Sequence, residues 1–192
     1  MNKTYILKKI NAALALVTAC LSFAHMFLAF KAFYFLIYDA DTFKIPAYAL
    51  AIAVSVHAFL SIAIFFFGHD TSSLSTPKKN FPVIMQRAEA LLMLVLIHRH
   101  ITSYHILFTG QKPSGLNIFL LLFLEIIFMA CVIFHTIESI PNALIRLGIL
   151  RSPKNLDNMA KIGPCLAIVS FILLIIYVVG LFKFVFTMIG GF

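Results

Sequence analysis

The sequence predicts an all-α integral membrane protein, a bundle of five transmembrane helices, on three observations. Hydrophobic residues make up 62% of the 192-residue chain and charged residues 11%, against roughly half and a quarter in a water-soluble domain. Apolar stretches fall at about 10–36, 46–68, 81–107, 116–136 and 162–189, each close to or above the roughly 20 residues that carry a helix across a bilayer. None of them alternates apolar with polar residues as the strands of a membrane barrel do, and backbone groups in lipid then find partners only inside helices.

Taken in order, the first stretch follows Lys3, Lys8 and Lys9 and superficially resembles a secretory signal. Its apolar run continues far beyond the about 7 to 15 residues of a signal core, so it is read as the first span. The second begins at Pro46, after Asp39, Asp41 and Lys44, and ends at Gly68. The third is the most polar, with Gln86, Arg87 and Glu89 near its start and His98, Arg99, His100 and His105 toward its end. The fourth carries Glu125 and His135, and the fifth has Lys183 near its end. Only 68–80 and 138–161 are long connections, and the latter has room for a short surface helix. No fixed-period repeat or domain boundary interrupts the pattern, so residues 1–192 are expected to form a single membrane domain.

The formal net charge of +8 would point to nucleic acid in a soluble chain, but here it reads as topology. Lys3, Lys8, Lys9, Lys78, Lys79, Arg87, Arg146, Arg151, Lys154 and Lys161 fall on one side; Lys31, Lys44, Arg99, Lys112 and Lys183 fall on the other. The excess predicts a cytoplasmic N-terminus and, with five spans, a C-terminus outside. Cys20, Cys131 and Cys165 lie within apolar stretches without paired spacing and are read as small buried hydrophobes. Tyr34, Tyr38, Tyr48, Tyr104 and Tyr177 are read as interfacial belt residues.

The chemistry is concentrated in histidines, which are costly inside a bilayer and usually face the bundle interior with a function. Each of the first four spans has at least one: His25, then His57, then His98, His100 and His105, then His135. At about 1.5 Å per residue, His25 and His100 sit at similar depth in the outer half. His135 lies near the cytoplasmic end of its span, and His57, near the middle of the second, reaches it if the helices tilt. Two imidazoles from facing helices are the axial ligands of an electron-transferring haem, so four histidines suit two haems. The bland alternative is a set of interhelical hydrogen bonds.

QRAEALLMLVLIHRH, from Gln86 to His100, and FHTIESIPNALIRLGILRSPK, from Phe134 to Lys154, together with VHAFLSIAIFF from Val56 and FAHMFLAF from Phe23, resemble the cytochrome b membrane anchor of succinate dehydrogenase and fumarate reductase. The likeness is to the single-polypeptide, five-helix, two-haem kind. It implies two haem b groups, with His25 and His100 on the distal iron and His57 and His135 on the proximal one. It also implies menaquinone or ubiquinone as substrate, and a flavoprotein and an iron–sulfur subunit at the cytoplasmic face of a bacterial inner membrane. FAD and the iron–sulfur clusters would belong to those partners, dicarboxylate chemistry would not occur in this chain, and whole complexes would associate as dimers. Where relatives often carry Arg-Leu-His-Ser this chain has Lys9-Ile10-Asn11-Ala12; Ala88-Glu89-Ala90 and Glu138-Ser139 replace a Ser-Gly and an Asn-Gly. The family's quinone site is therefore not carried over.

Quinone chemistry needs an acid or base that exchanges protons. Glu125, about 15 Å outward of His135 along the helix, is the first candidate, followed by Asp39 and Asp41 beyond the first span. Glu89, eleven residues before His100, falls about 20° off the same helical face and serves either a proton path or an ion pair with Arg87. Lys8, Lys31, Arg87 and Arg99 are candidate partners of anionic haem propionates as well as interfacial anchors. His98 and His105 lie away from His100 and are read as interfacial or propionate-contacting, and His69 as a loop residue or partner contact. Two other readings remain: a haem-free component of a small proton-coupled transporter, and a cytochrome b anchor of another dehydrogenase.

Overall fold

Residues 3–37, 39–67, 81–108, 115–150 and 152–188 are described by a computed structural model. Each apolar stretch forms one helix: α1 (Lys3–Phe35), α2 (Ala40–Phe67), α3 (Phe81–Phe108), α4 (Gly115–Leu147) and α5 (Pro153–Met188). No strand occurs among the described residues. Four helices, α1, α2, α4 and α5, are long and apolar enough to cross a membrane, which makes the chain a multi-pass membrane protein. The fifth, α3, has 28 residues, the same as α2, but carries the heaviest load of ionisable groups.

Contacts fix the relative directions. Near the start of α1, Asn11 Nδ2 donates to Ser61 Oγ near the end of α2 at 2.9 Å. The start of α3 meets the end of α4 through Gln86 and His135, and the ends of α1 and α5 meet through Phe33 and Phe184, with ring centres 5.3 Å apart. Thus α1, α3 and α5 run one way and α2 and α4 the other. The buried core lies among α1, α4 and α5, around Phe33, Ile133, Leu181 and Phe184, with Leu96 from α3 beside it. Lipid offers helices no hydrophobic reward for associating, so close packing holds this core together.

Gly180 shows how close that packing is. A Cβ there would stand 2.5 Å from Tyr34 Cε2 and 3.2 Å from Phe33 Cβ. With the glycine in place, the Tyr34 hydroxyl donates to the Ile176 carbonyl at 2.6 Å, and Lys183 Nζ donates to the Tyr34 carbonyl at 2.8 Å.

Several expectations change in detail. Helix α4 does not stop near residue 136 but continues through Pro141 to Leu147, and α5 begins at Pro153. The connection read as a site for a short surface helix is largely taken up by these extensions. Gly148, with φ 81°, ends α4: its amide bonds the Ile145 carbonyl and the Ile149 amide bonds Leu144, both at 3.0 Å, the two hydrogen bonds of a Schellman cap. Cys20 and Cys165 are exposed on helix surfaces rather than buried. Tyr177 is buried in the core, because its hydroxyl has polar partners there. Tyr38, Lys78, Lys79, Lys112 and Arg151, with the side chains of Lys3, Lys154 and Lys161, lie outside the described residues.

Candidate functional site: two histidine pairs

Helical register brings the histidines of four helices together in two groups. Toward the end of the bundle where α1 finishes, His25 of α1 and His100 of α3 face one another with ring centres 6.4 Å apart and ring planes at 68°. His100 Nδ1 lies 2.7 Å from Glu125 Oε1 of α4, and that carboxylate is only 2% exposed. The same oxygen accepts the Tyr177 hydroxyl of α5 at 2.8 Å, and Tyr177 meets the Tyr104 hydroxyl at 2.8 Å. Phe128 packs against the His100 ring at 4.7 Å and Phe43 against His25 at 6.4 Å. This is a buried polar chain in an aromatic shell, with every member supplied by a different turn of the bundle.

Toward the other end, His135 of α4 donates from Nδ1 to the backbone carbonyl of Gln86 in α3 at 3.1 Å. His57 of α2 lies within electrostatic reach of His135 and against the backbone of Asn11. Glu89 Oε2 stands 4.0 Å from His135 Nδ1, too far for a hydrogen bond, and has no hydrogen-bond partner of its own. Glu138 is close enough to interact with it electrostatically.

A haem of the kind the resemblance implies takes two axial imidazoles per iron. Two rings holding one ion between them at about 2 Å, as in zinc–imidazole bonds, have centres roughly 6 Å apart. The His25 and His100 rings meet that spacing. In each group one histidine has Nδ1 engaged, His100 by a carboxylate and His135 by a carbonyl, so that Nε2 is left to coordinate; metal-bound histidines are oriented in this way. The other member, His25 or His57, has a buried Nδ1 without a protein partner. By donor set and ring spacing His25 and His100 fit haem, and by donor set so do His57 and His135.

No family model, curated protein or solved structure matches this chain. Its chemistry is therefore read from the side chains themselves. Among the described residues no group of three or more His, Cys, Asp or Glu side chains is gathered to cage a metal ion, whereas axial haem ligation asks for two.

The remaining sequence candidates divide. Glu125 and Glu89 each reach a histidine group. Asp39 instead caps α2, accepting the Asp41 amide at 3.2 Å and the Thr42 hydroxyl, and Asp41 pairs with Lys44 at 3.0 Å on the surface. Arg99 lies next to His100 with its Nε buried and unpartnered, as a propionate-binding group would be. The Arg87 guanidinium covers the Phe65 ring at 4.9 Å. Lys8 lines a surface cavity with Tyr5, Lys9 and Arg146, and Lys31 is half-buried on α1. His98 is exposed, while His69 and the side chain of His105 lie outside the described residues. Sequence reading missed Tyr177 as a site residue. Its signal was a lone phenol in the middle of an apolar helix, where a hydroxyl has to find a partner.

Proposed function

We propose that the chain is the dihaem cytochrome b anchor of a succinate:quinone oxidoreductase or quinol:fumarate reductase, carrying electrons between a partner iron–sulfur subunit and a membrane quinone. The observation that carries this reading is the facing of the His25 and His100 rings across α1 and α3, with His100 and His135 each held through Nδ1. His25 with His100, and His57 with His135, would hold the two haem irons, and Arg99 would meet a propionate. Haem b bound there supplies one-electron carriers with no open coordination position, suited to electron transfer rather than oxygen chemistry. The protein's part is to set ring orientation, exclude water with Phe128 and Phe43, and hold the two sites at different depths.

The finer topology belongs to the same proposal. Helix α3 crosses the membrane as the fifth span, with Glu89, Arg99 and His100 turned toward the bundle and Leu91, Val95 and Ile101 exposed on its other side, where His98 also lies. The N-terminus is cytoplasmic, the C-terminus is outside, and a flavoprotein and an iron–sulfur subunit dock on the cytoplasmic face of a bacterial inner membrane. A specific observation favours a second reading: the buried chain of Glu125, Tyr177 and Tyr104 suits a haem-free proton relay in a small transporter.

A reduced-minus-oxidised visible spectrum of the protein expressed with haem supply decides between them. Two b-type haems are expected. His57→Ala or His135→Ala should each remove one, and His98→Ala should retain both. A spectrum without b-type bands refutes the haem reading.

A further inference from the structure

Beside the His57 and His135 group, a cavity of about 330 Å³ lies between the first turns of α3, the last part of α4 and the first part of α5. Pro141 inside α4 and Pro164 inside α5 each leave a helical hydrogen bond unmade, because proline has no amide to donate, and Pro141 lines the cavity. The amide missing at Pro141 is the one that would bond the carbonyl of Ile137, itself a lining residue. Gly163 lines the same space, and a Cβ added there would meet nothing within 4 Å.

The walls are mixed in the way of a small-molecule site, apolar with a few polar groups. Ile137, Pro141 and Leu166 supply the apolar part; Gln86, Glu138 and Asn142 supply the polar part. Among the described residues, neither the Gln86 amide nor the Glu138 carboxylate hydrogen-bonds another side chain. Gln86 also joins the cavity to the histidines, because its backbone carbonyl accepts from His135. Of the carboxylates expected from sequence for quinone contact, Glu125 is engaged by His100 and Tyr177, Asp39 caps a helix and Asp41 pairs with Lys44, whereas Glu89 stands without a hydrogen bond at Oε2, 4.0 Å from His135 Nδ1.

We infer that this cavity is the quinone site, taking the planar ring of a benzoquinone or naphthoquinone. The Gln86 amide donates to one ring carbonyl, and the Glu138 carboxylate accepts from a hydroxyl of the reduced form. The inference rests on the quinone reading above and locates the ring at the end of the bundle holding His57 and His135.

The test uses the full chain in lipid nanodiscs, with a photoreactive azidobenzoquinone bearing a decyl tail as probe and menadione as competitor. Labelled peptides are mapped by mass spectrometry, and haem content is read separately from the visible spectrum. Saturable labelling within 83–86, 137–142 or 163–170 is expected. Gly163→Leu, which fills the space, and Gln86→Ala, which leaves the backbone carbonyl in place, should each weaken labelling about ten-fold, the scale of one lost hydrogen bond or more. If Gly163→Leu fails to fold, Gln86→Ala carries the test. Labelling around Asp39 or Glu125, labelling unchanged in both variants, or no saturable labelling overturns the inference while the two haems persist. A wild-type spectrum without b-type bands instead removes the function reading, and the labelling map still decides whether the cavity takes the ring.

Discussion

Glu125 Oε1 accepts from two groups at once, the His100 ring and the Tyr177 hydroxyl, so one oxygen orients a histidine of α3 and a tyrosine of α5. Groups behind a metal ligand commonly change metal affinity by about 10- to 100-fold. Glu125→Gln should therefore raise the dissociation of one haem by about that factor, measured by transfer to an apo-globin, with partial recovery in Glu125→Asp; unchanged retention would reduce Glu125 to a packing residue. Asp39 acts differently. The Thr42 hydroxyl first, then the Asp41 amide, hold its acid below the ordinary value of 3.8. Because the folded value is depressed, the cap is complete above the ordinary value and is lost as pH falls through the lower folded one. Amide protection in the first turn of α2, corrected for intrinsic exchange, should fall below about pH 4 in the wild type and stay low at all pH in Asp39→Ala. At this scale the histidines were legible because each is an expensive residue in an apolar run. Tyr177 and the Gln86 carbonyl were not, since a backbone acceptor and a phenol acquire meaning only from what lies opposite.

At the scale of elements, the α1–α5 contact depends on a missing side chain. Gly180 faces Tyr34 and Phe33 at distances that a methyl group cannot share, and overpacking of this kind typically costs about 1 to 3 kcal/mol. Gly180→Ala should lower the thermal midpoint in detergent and weaken the Tyr34 to Ile176 bond, whereas Gly163→Ala, with open space around it, should not; equal effects would contradict the packing described. Hydropathy located all five helices, because the bilayer demands long apolar runs. It misplaced the end of α4, because turns beyond the bilayer need no apolar residues and the stop signal is the left-handed Gly148, a backbone conformation.

For the whole molecule, the antiparallel order of neighbours puts the starts of α1, α3 and α5 at one end with the finishes of α2 and α4. In a cysteine-free background, Phe192→Cys should react with a membrane-impermeant maleimide on intact cells, and Asn2→Cys only after permeabilisation. Both reacting from the same side would remove α3 as a span. Composition and the spacing of apolar runs determined on their own that this is a helical, multi-pass membrane chain, because a bilayer tolerates few backbone solutions. They also nominated His25, His57, His100 and His135 as the residues that need explaining. Only tertiary structure decided which nitrogen of His100 and His135 is held, that Glu125 joins α3 to α5 through Tyr177, and that a polar-edged cavity lies beside Gln86 among α3, α4 and α5. Each of these is a relation between helices far apart in sequence, governed by rotation and approach distances that hydropathy does not encode.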